Sequence, residues 1–205
     1  RLADALVAVT GFEGFVPAKS EAVEVTIRGC AYSQRTVALA IGQRLDVRNV
    51  DEVTAYTPYL DGSAYTAMRV AVPGASAVPL SATKPGQYLL RDAMNRPFML
   101  SDVLVLKYAT TAITKLDGTY QITGIPVGKV RVDVLLPVIR KTKGKDIELK
   151  EGDNVLDLEL EYDAKKDVPV RVPDPQFGTR TVPTVGPPAS AAPSPSAGPA
   201  PSASP

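Results

Sequence analysis

The stretch GCAYSQRTVALAIGQRLDVRNVD, residues Gly29–Asp51, decides the fold class of this 205-residue chain. Within it, apolar and polar residues alternate on both sides of Gly42. The apolar positions are Val37, Leu39, Ile41, Leu45 and Val47. A period of two residues is typical of a half-buried strand, and a glycine between two such runs marks a turn. The stretch therefore predicts two short strands joined by a tight connection.

The same alternation recurs along the chain. It is found at Val23–Ile27, Val103–Val105, Tyr120–Ile122, Val130–Val134 and Val155–Leu160, with Asp-Gly, Pro-Gly and single glycines between the runs. Short alternating strands separated by turn residues predict an all-β protein, and we expect an antiparallel Greek-key β-sandwich. Ser101–Tyr108 stays open between strand and helix because its apolar run is nearly continuous.

Composition narrows the classes of function. The chain is 44% apolar and 22% charged, with a formal net charge of +1, which is typical of a globular protein without the basic stripe of a nucleic-acid binder. No apolar run reaches the length of a membrane-spanning helix. The chain begins at Arg1, which fits a cleaved signal peptide, a proteolytic fragment or a shortened chain. The single cysteine, Cys30, is expected to be a buried residue of a strand, with a reactive thiol or an intermolecular bridge as alternatives.

The composition changes after Tyr162. Residues 164–205 are rich in proline, alanine and serine, and the last twenty residues carry no charge and no large apolar side chain. Such a segment buries too little surface to offset the entropy of ordering it, so we expect a disordered tail with polyproline II character. It is either inert or a spacer to a surface or partner.

Two segments resemble bacterial cupredoxins of the plastocyanin and azurin type. The first is Gly29–Asp51, and the second is KPGQYLLRDAMNRPFM, residues Lys84–Met99. The resemblance implies a first copper histidine shortly after the first segment, at the position of Ala55. It implies the other three ligands within the second segment, with Ala93 at the cysteine, Arg96 at the second histidine and Met99 at the axial methionine. Blue copper needs a strong His₂Cys set, and the chain contains no histidine. The resemblance therefore implies the fold without metal or cofactor.

A second resemblance concerns Ala112–Val134 and Ile147–Leu160, which are similar to the closing strands of carboxypeptidase regulatory-like, transthyretin-like sandwiches. Some bacterial envelope proteins join these two units. We therefore expect a degenerate cupredoxin-like sandwich over residues 1–110 and regulatory-like strands over residues 111–163 that pack on it or continue it. The leading segment Arg1–Pro17 is expected to form an early strand pair of the first sandwich, with Phe12 and Phe15 as core candidates.

The sequence offers few sets of residues that are typical of catalytic sites. Without histidine there is no Ser-His-Asp or Cys-His set and no histidine base. The acidic pairs Asp51-Glu52 and Glu159-Glu161 fall in turns or on strand faces, where solvated surface is the usual explanation. The sequence also lacks a P-loop, an EF-hand loop and a dinucleotide-binding glycine motif. We expect a protein that is not an enzyme.

One aromatic cluster carries a binding hypothesis. Tyr56, Tyr59 and Tyr65 follow Ala55, while Arg96 and Phe98 lie in the other loop of the lost metal site. The rings either fill the vacated pocket or form a rim that contacts a protein or glycan. We therefore expect a structural or interaction subunit of a bacterial envelope, periplasmic or extracellular, with a protein partner. The alternative is a glycan or small-ligand module that uses the former copper end.

Overall fold

The computed structural model describes residues 1–14, 16–17, 19–64, 68–94 and 96–167. In these residues the chain is all-β, with twelve strands and one 3₁₀ helix, Pro137–Ile139. The strands are β1 (Leu6–Thr10), β2 (Val23–Arg28), β3 (Ala31–Tyr32), β4 (Thr36–Ala40), β5 (Leu45–Asn49), β6 (Pro58–Asp61), β7 (Val78–Leu80), β8 (Gly86–Asp92), β9 (Leu100–Leu106), β10 (Thr111–Ile113), β11 (Gly128–Leu136) and β12 (Lys141–Leu149). Within the described ranges, no helix has the length and hydropathy needed to cross a membrane.

Two of the three sheets form the sandwich. Their strand orders are β3-β2-β5-β7 and β4-β9-β8-β6, so neighbouring strands are mostly not consecutive in sequence. The chain passes from one sheet to the other between Tyr32 and Thr36. This order confirms the expected Greek-key sandwich, with one addition: β2 pairs with β5 and β4 with β9 in parallel, while the other pairs within these sheets are antiparallel.

The alternation of the opening stretch settles which residues face the core of the sandwich. Val37, Leu39, Leu45 and Val47 are all buried there. Ile41 departs from the pattern and is exposed, because β4 ends at Ala40 and the turn to β5 begins.

The segment left open between helix and strand is a strand. Most of it lies in β9, which directs Val103 and Val105 into the same core.

The third sheet has the order β10-β1-β11-β12 and a core of its own. The expectation that Arg1–Pro17 belongs to the sandwich is wrong, because β1 pairs with β10 on one side and β11 on the other. Its continuous apolar run suits this central position, where both faces are buried. Phe12 packs half-buried against this second core, and Phe15 lies outside the described residues.

Two expected strands are not paired in ladders. Tyr120–Ile122 and Val155–Leu160 place alternating apolar side chains, half-buried, on the second core, yet neither has a strand partner in the described part of the chain. A side-chain contact joins them, since the Tyr120 hydroxyl donates to the carbonyl of Leu156 at 2.8 Å. The predicted tail lies outside the described residues from Val168 onward.

Candidate functional site at the loop end of the sandwich

Four positions singled out by the cupredoxin resemblance come together at one end of the sandwich. Arg96 Nη1 donates to the carbonyl of Ala55 at 3.2 Å, and the backbone N–H of Ala93 donates to the carbonyl of Thr57 at 2.9 Å. The N–H of Met99 donates to the carbonyl of Arg96 at 3.0 Å, and the Met99 side chain is buried in the core. The connections β5–β6 and β8–β9 therefore meet as expected, and we call this region the loop end.

Tyr56 is the buried centre of the loop end, with no exposed surface. Its hydroxyl donates to the carboxylate of Asp51 and accepts the backbone N–H of Cys30 at 3.1 Å. Burial, assisted by the bond to Asp51, raises the pKa of Tyr56 above its ordinary value. The bond from Tyr56 and a second one from the Gly29 N–H lower the pKa of Asp51. At neutral pH the pair therefore consists of a neutral phenol and a carboxylate.

Cys30 is placed differently from the expectation. It lies in the turn between β2 and β3 with a φ of 60°, not in a strand, and it is half-buried. Its sulfur is 3.6 Å from the Tyr56 hydroxyl oxygen. The turn conformation follows from the two-residue connection Gly29-Cys30, in which both residues have positive φ.

Arg96 supplies an internal cation. Its Nη1 lies 2.7 Å from Oδ2 of Asp92, whose side chain is fully buried and whose Oδ1 accepts the N–H of Thr57 at 2.6 Å. The hydrogen bond to Asp92 raises the pKa of Arg96. The guanidinium also stacks on Tyr56, with Cζ 4.7 Å from the ring centroid, which is a cation–π contact. Arg96 therefore links both loops through a carboxylate, a carbonyl and a ring.

Asn49 connects the segment around Ala71 to the loop end. Its buried Nδ2 donates to the carbonyls of Thr54 at 2.7 Å and Ala71 at 2.8 Å, and its Oδ1 accepts the N–H of Asp51 at 3.0 Å. A backbone bridge between Tyr56 and Ala71 lies beside it. Sequence reasoning missed both Asn49 and Asp92 as positioning residues, and neither carries a local signal that sets it apart from surface polar residues.

The predicted aromatic rim is only partly present. Tyr56 and Tyr59 are buried, so the expectation that they face a partner is wrong for these two rings; each occupies space inside the fold that a smaller side chain would leave empty. Phe98 is 70% exposed and Arg96 is one-fifth exposed, at 20% of its side chain. Tyr65 lies outside the described residues.

A different set of side chains forms the surface of the loop end. Of the twelve exposed large apolar residues in the described ranges, six lie here, a concentration that sets this end apart from the rest of the surface. We call them the apolar rim: Val53, Met68, Val70, Val72, Met94 and Phe98. Thr54 and Ala71, which adjoin Val53, Val70 and Val72 in sequence, are held by Asn49. Arg96, which lies between Met94 and Phe98 in sequence, stacks on Tyr56.

The residues at the loop end do not fit a copper ion. Ala55 and Ala93 offer no side-chain ligand, and the guanidinium of Arg96 already provides a positive charge there. In the described part of the chain, no group of three or more histidine, cysteine, aspartate or glutamate side chains is placed to hold a metal. Met99 alone, the weak axial ligand of the pattern, cannot replace the missing set.

Comparisons with known proteins find likeness in solved structures only. No family model matches the sequence, and no curated protein matches it. The copper-containing nitrite reductase of Thermus scotoductus SA-01 is 15% identical with a TM-score of 0.37 over 48% of this chain, which spans a quarter (25%) of that protein. Amicyanin of Paracoccus versutus is 22% identical with a TM-score of 0.36 over 44% of this chain and 85% of its own. These neighbours are cupredoxins, and the likeness concerns the fold of under half of this chain.

Proposed function

We propose that this chain is a non-enzymatic, metal-free interaction subunit of a bacterial cell envelope, and that the loop end of its sandwich binds a protein partner. The observation that carries the proposal is the apolar rim. Half of the twelve exposed large apolar side chains of the described residues lie at this one end. A concentration of exposed apolar side chains is typical of protein-binding sites.

The base under the rim is rigid, which favours binding. Arg96, Asp92, Tyr56 and Asn49 join the loops by ion-pair, cation–π and hydrogen-bond contacts. A surface fixed in advance loses less conformational entropy when a partner docks. Phe98 is the natural anchor because an exposed aromatic ring offers a large area for burial, and the flexible side chains of Met68 and Met94 adapt to the partner's shape.

The ionisable groups of the loop end support binding over acid–base chemistry. The carboxylate of Asp92 is engaged by Arg96 and Thr57, and that of Asp51 by Tyr56 and Gly29. Tyr56 is a neutral phenol at physiological pH, and burial raises its pKa further from that range. These groups are therefore engaged with one another.

Three further features complete the proposal. The third sheet, with its second core, is the unit we assign to the regulatory-like strands of the sequence. The envelope location and the spacer role of residues 164–205 rest on the sequence resemblance and composition. The cupredoxin resemblance supplies the reason for placing the partner at the loop end, where the two loops meet.

The test compares Phe98→Ser with Leu116→Ser, a control at an exposed apolar residue of the β10–β11 connection, where Leu116 is 91% exposed against 70% for Phe98. Wild-type protein is used to capture and identify a stoichiometric partner from the native envelope, and its affinity is measured with purified proteins. Loss of an anchor costs about 2 kcal/mol, or roughly thirtyfold in Kd. We expect that loss for Phe98→Ser alone, with an unchanged melting temperature in both variants. Equal affinities for wild type and Phe98→Ser overturn the proposal.

A further inference from the structure

The third sheet presents an open basic edge. The sheet order ends at β12, so the outer side of this nine-residue strand has no strand partner among the described residues. Lys141, Lys143 and Lys145 occupy alternate positions of β12 and therefore point to the same face. Lys143 and Lys145 are exposed and take part in no ion pair in the described part of the chain. We call β12 with these lysines the basic edge.

The segment 155–162 has the opposite charge and the same spacing. Asp157, Glu159 and Glu161 alternate and are exposed, while the leucines between them rest on the second core. The Leu156 carbonyl accepts the Tyr120 hydroxyl. The other backbone groups of the segment 155–162 have no hydrogen-bond partner in the described residues. We call it the acidic segment. Unpaired backbone in an extended, alternating segment is a template for strand addition.

We propose that copies of this chain associate head to tail, with the basic edge of one copy pairing as a strand with the acidic segment of the next. Both rows repeat every two residues, so one antiparallel register sets Lys145 opposite Asp157 and Lys143 opposite Glu159. Lys141 falls opposite Glu161 in this register but already pairs with Asp167 of its own copy, with Nζ 2.7 Å from Oδ2, so the proposal rests on the first two pairs. Opposite charges directly across a strand pair are stabilising, and the backbone groups of both edges gain partners.

The charge pattern disfavours a symmetric pairing of two basic edges that brings their lysines together. A two-fold antiparallel pairing of β12 with itself centred on Gly144 sets Lys143 opposite Lys145, and like charges in that position are destabilising. Each copy carries one basic edge and one acidic segment, so the contact is heterologous and leads to rings or open filaments. The net charge of +1 adds little overall repulsion between copies.

The association depends on ionic strength because the paired charges are at the surface. Their attraction is screened over about 10 Å at 0.1 M salt and over about 3 Å at 1 M. Light scattering on the full chain should therefore show a mass that rises with protein concentration at low salt and returns toward the monomer value at high salt. A monomer at every concentration overturns the proposal.

Two charge-reversed proteins make the test specific. Lys143→Glu with Lys145→Glu gives a copy with two acidic surfaces, and Asp157→Lys with Glu159→Lys gives a copy with two basic surfaces. Each alone should be monomeric, whereas a mixture should associate at least tenfold more strongly than either. If the rows act only within one copy, the mixture stays monomeric and the proposal fails.

A matched pair of variants controls for net charge. Lys107→Glu with Lys115→Glu, and Glu13→Lys with Glu21→Lys, change the same charges at exposed positions away from both rows. Each control should retain the concentration-dependent mass of the wild type. Loss of association in the controls, or its persistence in the two reversed proteins, contradicts the pairing. None of these substitutions touches the apolar rim, so the result is independent of the partner-binding proposal.

Discussion

Replacement of Arg96 by alanine is the sharpest test of how the loop end is held together. The substitution removes the cation 2.7 Å from the fully buried carboxylate of Asp92, the hydrogen bond to Ala55 and the stacking on Tyr56. Removing one partner of a buried pair costs about 3–5 kcal/mol, and a cation–π contact adds about 0.5–1 kcal/mol. Because the Arg96 side chain is 20% exposed, water reaches the gap and lowers the cost. We expect a loss of about 3 kcal/mol in the free energy of unfolding.

The measurement is equilibrium urea unfolding of Arg96→Ala, Asp92→Asn and the double variant, which gives the coupling energy between the two side chains. That coupling should exceed about 1 kcal/mol. Arg44→Ala is the control, because Arg44 forms an ion pair of the same length with Asp46 but is exposed, and its loss should leave the unfolding midpoint nearly unchanged. Equal, small effects for Arg96→Ala and Arg44→Ala would refute the reasoning.

Three further outcomes are expected. Tyr56→Phe should be less stable than wild type at pH 7, and the difference should shrink as the pH falls below about 4, because the folded pKa of Asp51 lies below its ordinary value and its stabilisation is lost only on protonation; a difference constant from pH 7 to pH 2.5 contradicts this. Residues 19–108 alone should unfold cooperatively by circular dichroism, since β1 belongs to the third sheet, while Val7→Ala should cost the full chain about 2 kcal/mol; an unfolded fragment would show that the sandwich depends on that sheet. Purified protein mixed with Cu(II) should show no intense thiolate-to-copper band in its visible spectrum, and such a band with stoichiometric copper would overturn the metal-free assignment.

The sandwich was largely predictable because its signal is local. Alternation at Val37, Leu39, Leu45 and Val47 states which side of each strand meets the core, and Gly42 places the turn between them. The structure agrees at these four positions. The parallel pairing of β2 with β5 was not predictable from alternation, because the same pattern suits either direction of the neighbouring strand.

The partner of the N-terminal strand could not be predicted. The apolar run Leu6–Val9 indicates a strand buried on both faces but not which sheet receives it. Its neighbours β10 and β11 lie about a hundred or more residues away, beyond the entire sandwich, so the decision is made by non-local packing. Sequence proximity favours placing the N-terminal strand in the sandwich that follows it, and this placement is wrong because β1 pairs with β10 and β11.

The polar residues of the loop end were hidden for a similar reason. Asn49 and Asp92 are buried, which single-sequence reasoning does not expect for amide and carboxylate side chains. Their burial becomes favourable only when distant groups satisfy them: Asn49 reaches the Ala71 carbonyl 22 residues away, and Asp92 accepts the Thr57 N–H 35 residues away. Only the tertiary structure brings those partners together.

The contacts of Arg96 explain how the two loops are held together although Ala55 and Ala93 offer no copper ligand. A metal in this position would cross-link the two loops by coordination. Here Arg96 makes the corresponding links, since its guanidinium joins the carbonyl of Ala55 in one loop to the carboxylate of Asp92 at the start of the other. A single fixed cation on a planar, always-protonated group does this without a site open to solvent ligands. The inner side of the loops is thereby committed to stability, which is why we propose recognition for the apolar rim on their surface.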